Sequence, residues 1–432
     1  MRATSNSGRF WVNVRDSFWF LPAIYGLISI LAVIIVTIAD FFLLPIIQDF
    51  VPNIVLTNQD IAKSLYSALI TAILTMTTIS FSTIMVVLTT YTTQFSPRTL
   101  QDFMKNRFTQ HVLGVYSFSF VFVLLNLLIL TEDKKKVMAS PFFTVLISIV
   151  CLAFFVLFIH HSSRFVQVNN LISEIRNRTS TVIKTTYAEK SFHEETDWDQ
   201  EVINDLRQQE PQVIAASHSG YIQQLQFKNL IEWAANEDAI VESEFQIGDY
   251  IQKGMPIFKC WCAREMEAEE KCQQYLLIGN ERVDTQDIEF SIQKLVEIAV
   301  KAISPGINDP HTAINCINRI GSLLADLGSE YQPIRYYSDD KGHLRVIMEP
   351  KQFEEYLYMS FYQIRIYGSN DVSVMNGVIE ALYQVAAVNG NDVKKDVWEF
   401  AEFLIKAVEV DRNGLDYKYF KKQVDKLSSA CA

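Results

Sequence analysis

The chain has 432 residues, 49% of them hydrophobic and 20% charged, a balance that excludes intrinsic disorder, a collagen-like fibre and a small disulfide scaffold. Its charge is divided: up to Arg164 there are 11 basic residues against 7 acidic ones, and the remainder carries 27 against 42. An apolar, slightly basic part precedes an acidic one, and the acidic part argues against a nucleic acid partner bound through a basic face.

Four apolar segments reach the roughly 20 residues needed to cross about 30 Å of hydrocarbon. From Phe18 to Ile46 the only ionisable side chain is Asp40. The run is too long for the apolar region of a secretory signal, and no small-residue cleavage site follows it. Ser64 to Tyr91, His111 to Leu130 and Phe142 to Ile159 carry no charged residue other than the terminal His111. The expected fold class is an α-helical membrane protein with four transmembrane helices and a cytoplasmic α+β region.

Short cytoplasmic loops collect Lys and Arg. Arg2, Arg9 and Arg15, then Arg98, Lys105 and Arg107, then Arg164, Arg176, Arg178 and Lys184 place both termini in the cytoplasm, against the single dissent of Lys134-Lys135-Lys136. Trp11, Trp19, Tyr25 and Tyr91 stand near the span ends, where amphipathic rings favour the headgroup layer.

In the second span Thr71, Thr75, Thr78, Ser82, Thr89 and Thr93 recur at helical steps, with Met85 in the gap, and form a hydroxyl stripe. Such a stripe lines a water-filled path, where oxygens replace part of an ion's hydration shell, or packs helices together through small residues. Both readings stay open here. Asp40 and Asn126 are the other polar candidates within the spans, each suited to joining helices or to the interface.

After the stripe come Thr92-Thr93-Gln94-Phe95-Ser96-Pro97-Arg98 and then Thr109-Gln110-His111-Val112-Leu113-Gly114. A second run, Ser304-Pro305-Gly306-Ile307-Asn308-Asp309-Pro310, is followed by Thr312-Ala313 and Asn315-Cys316. With both motifs the chain resembles, over nearly its whole length, the bacterial predicted membrane proteins grouped as domain of unknown function 2254. The resemblance implies a multi-spanning inner-membrane protein with a cytoplasmic C-terminal region, and no more.

Pro97 stops a helix because proline lacks an amide donor and disfavours a helical residue before it. Gln94, Ser96, Pro97 and Arg98 are thus a candidate coupling turn, leading into a short amphipathic helix with Leu100, Phe103, Met104 and Phe108 on its apolar side. Phe165, Val168, Leu171, Ile172, Ile175 and Val182 keep a helical period, so the fourth span is expected to continue as a helix into the cytoplasm. His160-His161 at its end are a pH-sensing or an interfacial pair.

Residues 189–209 read as a solvated, acidic helix or linker, and Pro211 marks its end. Short apolar runs alternating with glycine turns then predict a small β domain over 211–286. Gly248-Asp249-Tyr250-Ile251-Gln252-Lys253-Gly254-Met255-Pro256-Ile257 resembles a segment of biotinyl, lipoyl and membrane-fusion barrel-sandwich domains. Carrier chemistry does not follow: between Gly220 and Gly248 the only lysine is Lys228, flanked by Phe227 and Asn229 in place of the methionines of a biotinylation site. From Asp287 on, helical periodicity returns, with further helices near Phe353–Tyr367, Val372–Asn389 and Val393–Val410. The expected organisation is therefore 1–164 membrane, 165–210 extension, 211–286 β and 287–432 helical.

Ser304, Asn308, Asp309 and His311 form a candidate regulatory loop, where Asp309 also caps a helix and Pro310 suits its first turn. Cys260, Cys262 and Cys272 offer three thiols with no fourth ligand at zinc-site spacing, and read as reduced. No phosphate-binding, zinc-protease, nucleophile-elbow or dinucleotide motif occurs, so neither an enzyme nor a cofactor is expected. The expected function is an oligomeric channel or transporter-like protein in the lipid bilayer, acting on an inorganic ion, with a non-conducting adaptor for a soluble partner protein as the alternative.

Overall fold

The computed structural model describes residues 17, 19–47, 50–52, 54–94, 107–130, 137–165, 167–188, 193–262, 272–408 and 414–432. The chain forms two compact units, Met1–Gln167 and Val168–Ala432.

The first unit holds α1 (Phe20–Ile47), α2 (Gln59–Gln94), α3 (Arg107–Ile129) and α4 (Ser140–Phe165). All four are long and apolar enough to cross a membrane. α1 widens into a π turn at Ala39–Leu43, and this turn carries Asp40. The Asp40 carboxylate accepts the Ala139 and Ser140 amides at 2.9 and 3.0 Å, so the lone acid of the first span caps the start of α4.

Inside the unit, Tyr66, Tyr116, Phe122 and Phe158 are at most 1% exposed and fill the space between the helices. Hydroxyls stitch the helices across that interior. Ser80 Oγ donates to the Tyr116 hydroxyl at 3.1 Å, the Tyr66 hydroxyl donates to Ser140 Oγ at 3.0 Å, and Ser29 Oγ donates to the Phe118 carbonyl at 2.8 Å. Asn126 turns back on its own helix, donating to the Phe122 carbonyl at 2.7 Å.

The second unit opens with α5 (Val168–Ala188). The expected continuous helix is thus two helices: α4 ends at Phe165, and the Gln167 amide bonds the Arg164 carbonyl in a tighter turn at 3.2 Å. Residues 189–209, expected as a solvated helix or linker, contribute the helix α6 (Gln200–Gln208), docked and not free, and before it β1 (His193–Glu195). α6 is docked because Ile203 and Leu206 pack with Trp261, Tyr336, Leu344 and Ile347.

The strands that follow are β2 (Gln212–Ala215), β3 (Gly220–Leu225), β4 (Ile240–Ser243), β5 (Tyr250–Ile251), β6 (Pro256–Trp261) and β7 (Leu276–Gly279), with α7 (Phe227–Asn236) between β3 and β4. Later in the chain come α8 (Ile288–Ala302), α9 (Pro310–Glu330), β8 (Tyr336–Ser338) and β9 (Leu344–Ile347). One sheet has the order β1-β8-β9-β4-β6-β2 and the other the order β5-β3-β7; β4 and β9 pair in parallel, and the other pairs are antiparallel. The glycine turns fall where expected, with Gly248 at φ +95° and Gly254 at φ +89°. The larger sheet takes strands from both sides of residue 287, so the 211–286 segment is not closed on itself, and its likeness to barrel-sandwich domains finds no support.

The chain ends with α10 (Phe353–Gly368), α11 (Val372–Val388), α12 (Asn391–Ala407) and α13 (Leu415–Cys431). α5 packs on α9: Asp326 accepts from Arg176 at 3.1 Å and from Ser180 Oγ at 2.8 Å, and Asn315 donates to Asn169 at 2.9 Å.

Candidate functional site

The hydroxyl stripe lies along one face of the single helix α2. Thr71, Thr75, Thr78, Ser82 and Thr89 are all exposed, and so is Met85 in the gap. The opposite face, with Ala62, Tyr66, Ile73, Ser80, Ile84 and Val87, is the one buried against the other helices. Among the described residues of the first unit the stripe is therefore not a packing seam. It points out of the unit.

The threonine hydroxyl protons are already committed. Thr71, Thr75, Thr78 and Thr89 donate to the carbonyls of Ser67, Thr71, Leu74 and Met85 at 3.0, 2.8, 2.9 and 2.9 Å. A hydroxyl bonded back in this way turns its oxygen lone pairs outward. The threonines of the face thus present a row of oxygen acceptors, with the Ser82 hydroxyl still able to donate, a surface better suited to replacing water around a cation than around an anion.

At the end of α2, Gln94 is the last helical residue, and Ser96, Pro97 and Arg98 of the candidate coupling turn lie outside the described residues. The amphipathic segment with Leu100 and Phe103 lies outside them too.

The candidate regulatory loop belongs to the second unit, where its residues come together in one turn. Ser304 Oγ donates to the Lys301 carbonyl at 2.6 Å, and the Asn308 amide donates to the Ser304 carbonyl at 2.9 Å. Asn308 has φ +51°, the left-handed region that asparagine tolerates better than most residues. Asp309 accepts the Thr312 amide at 3.1 Å and the Thr312 hydroxyl at 2.6 Å, and these bonds hold its carboxyl below the usual carboxylate range. His311 is exposed on the first turn of α9. Asp309→Ala is expected to cost about 1 kcal/mol, the worth of a helix cap, read as a lowered urea midpoint with unchanged m-value.

The remaining sequence candidates resolve into structure. Cys260 and Cys272 are buried in one core, and contact with the Cys272 thiol, with burial, pushes the Cys260 thiol up. Among the described residues no group of three or more His, Cys, Asp or Glu is placed to hold a metal ion. Lys228 sits exposed in the first turn of α7, not on a hairpin. Two polar clusters have no counterpart in the sequence reading: Arg345 bridging Asp339 and Asp238 at 2.8 and 2.9 Å, and Arg282 bridging Asp287 and Glu289 at 2.7 and 3.4 Å. Only the charges were visible in sequence; their pairing depends on elements up to about a hundred residues apart.

Two uncharacterized proteins of Mycobacterium tuberculosis and one of Mycobacterium bovis are each 28% identical to this chain over 319 residues. The alignment covers 71% of this chain and 60% of each relative, so the chain spans less than two thirds of their length. No solved structure matches. Residues 15–384 match the family described as "Predicted membrane protein (DUF2254)", which takes in all four apolar helices, the outward hydroxyl face and the Asp309 turn. The chain belongs to this family of predicted membrane proteins.

Proposed function

We propose that the protein is an oligomeric channel or transporter-like protein for inorganic cations, in which copies of α2 surround a shared axis. The observation that carries this reading is the outward acceptor face of α2 beside an interior filled by aromatic side chains. A passage between copies uses the hydroxyls that a passage through one copy cannot reach. Exposed hydroxyls gain nothing from lipid tails, whereas oxygens on a wet axis substitute for hydration water. The same reading places the protein in the cytoplasmic membrane of a bacterium with both termini inside, on the weight of Arg and Lys in the short loops, and assigns it no catalytic turnover.

The second reading is a non-conducting adaptor for a soluble partner protein. It is favoured by an open groove of about 830 Å³ between α11 and α13, lined by Ser373, Asn376, Tyr419, Lys422 and Lys426 among others. Conductance separates the two. Purified protein in liposomes under a potassium chloride gradient is expected to pass current that reverses toward the potassium potential. Thr75→Val with Thr78→Val is expected to lower that current about tenfold, equivalent to about 1.4 kcal/mol, with oligomer size unchanged. An adaptor is indifferent to both substitutions. Liposomes that stay silent under voltage, pH and osmotic challenge contradict the channel.

A further inference from the structure

One half of the first signature is accounted for by packing. Leu113 is 3% exposed, and a Cβ on Gly114 would stand 2.7 Å from the Tyr25 ring, so glycine is what lets α1 lie against α3. His111 Nδ1 holds the Tyr25 hydroxyl at 3.1 Å. Thr109 is not accounted for. It is 0% exposed, and its Oγ1 has no hydrogen-bond partner.

The threonines of α2 satisfy their hydroxyls on carbonyls four residues back, but Thr109 is the third residue of α3 and has no such carbonyl within the helix. A buried hydroxyl left without a partner costs about 1–3 kcal/mol, so its place calls for an acceptor. A second such group, Ser162 Oγ, is 2% exposed in the last turns of α4. The two helix ends lie together, since the Phe108 and His161 rings are 4.6 Å apart.

Among the described residues Arg107 and Arg164 are the fixed charges at this end, His111, His160 and His161 stand on the same two helices, and neither helix carries an Asp or Glu. The amides of the first turn of α3 add the positive end of its dipole. Thr109 also shares a helix face with Leu113 and Phe120, by its spacing of four and eleven residues. Those two line an apolar groove of about 150 Å³ with Trp19, Pro22, Leu74 and Phe81. By that spacing the apolar groove lies on the same face of α3 as Thr109.

We propose that the α3 N-terminus is a phosphate site for an anionic phospholipid, with Thr109 and Arg107 donating to the headgroup phosphate and an acyl chain in the groove below. The shared chemistry is a phosphate anion, and free phosphate is the other source of it.

The test is native mass spectrometry of the full chain released from nanodiscs of phosphatidylcholine, or of phosphatidylcholine with phosphatidylglycerol. Retained phosphatidylglycerol adducts are expected in excess over phosphatidylcholine. Thr109→Val combined with Arg107→Gln should lower their retention about tenfold, while Thr109→Ser, which keeps the hydroxyl, retains them. Thr109→Val alone should raise the melting temperature of the lipid-free protein, because it removes the orphan hydroxyl, so weaker binding is not a folding defect. Displacement of the lipid by added inorganic phosphate would assign the site to the free anion and overturn the lipid part. Equal retention of the two lipids, or full retention by Thr109→Val, overturns the site.

Discussion

Asp339→Ala is expected to destabilise the protein by about 3–5 kcal/mol, the range for breaking a buried ion pair by removing one partner. Asp339 Oδ1 accepts the Lys341 and His343 amides at 2.9 and 3.0 Å and thereby sets the β8–β9 turn. Its Oδ2 accepts Arg345 Nε at 2.8 Å, and Arg345 is only 6% exposed. Without the carboxylate, Arg345 keeps Asp238 as its remaining carboxylate partner, 91% exposed. Burial opposes ionisation of Asp339, but these hydrogen bonds and the guanidinium outweigh it and lower its carboxyl from 3.8 to about 2. A depressed folded-state value means that this stability is present above about pH 4 and is lost as the pH falls toward 2. Urea titrations at neutral and at acid pH should therefore converge for parent and variant only at the acid end.

Gly321→Leu should be the most damaging change at the α9–α11 crossing. A Cβ at Gly321 would stand 2.8 Å from the Ala381 Cβ and 3.2 Å from its Cα, so backbone and not a flexible tip is in the way. Overpacking of this kind costs about 1–3 kcal/mol, and more where helices must separate. Gly321→Ala paired with Ala381→Gly moves the same methyl group to the other helix and should recover most of the loss. Thermal melts of the two single variants and the pair read this directly, as a coupling between neighbours.

The four apolar helices were legible because length and the near absence of charge are local properties of the chain. The direction of the hydroxyl stripe was not. Thr71, Thr75 and Thr78 show the same period whichever way they face, and only the burial of Tyr66, Ile73 and Ile84 on the other side shows that the stripe is the exposed face of α2. Asp40 was visible as the one acid of its span, yet its partners are amides about 100 residues away. Asp309 was read correctly as a cap because its partner is three residues on.

The hairpin of β8 and β9 carried a turn signal, Asp339-Asp340-Lys341-Gly342, between apolar runs. It was hidden because β9 is completed by parallel pairing with β4, a contact between Val241 and Val346 that no local pattern announces. Likewise α6 has few apolar residues, and its docking rests on Ile203 and Leu206 finding a surface built by β6, β8 and β9, all of which come later in the chain. α13 went unread, having only Phe420 and Leu427 buried along its length.

The central claim is that the α2 hydroxyl face meets water between copies of the chain. Thr75→Cys, with the six native cysteines replaced, tests it most directly in intact membranes. The account predicts that Cys at this position reacts with a membrane-impermeant thiol reagent and, on mild oxidation, links two copies by a disulfide, while Cys in place of Leu152, exposed on the apolar surface of α4, does neither. A Thr75→Cys protein that stays unlabelled and monomeric, behaving like the Leu152→Cys control, would contradict it.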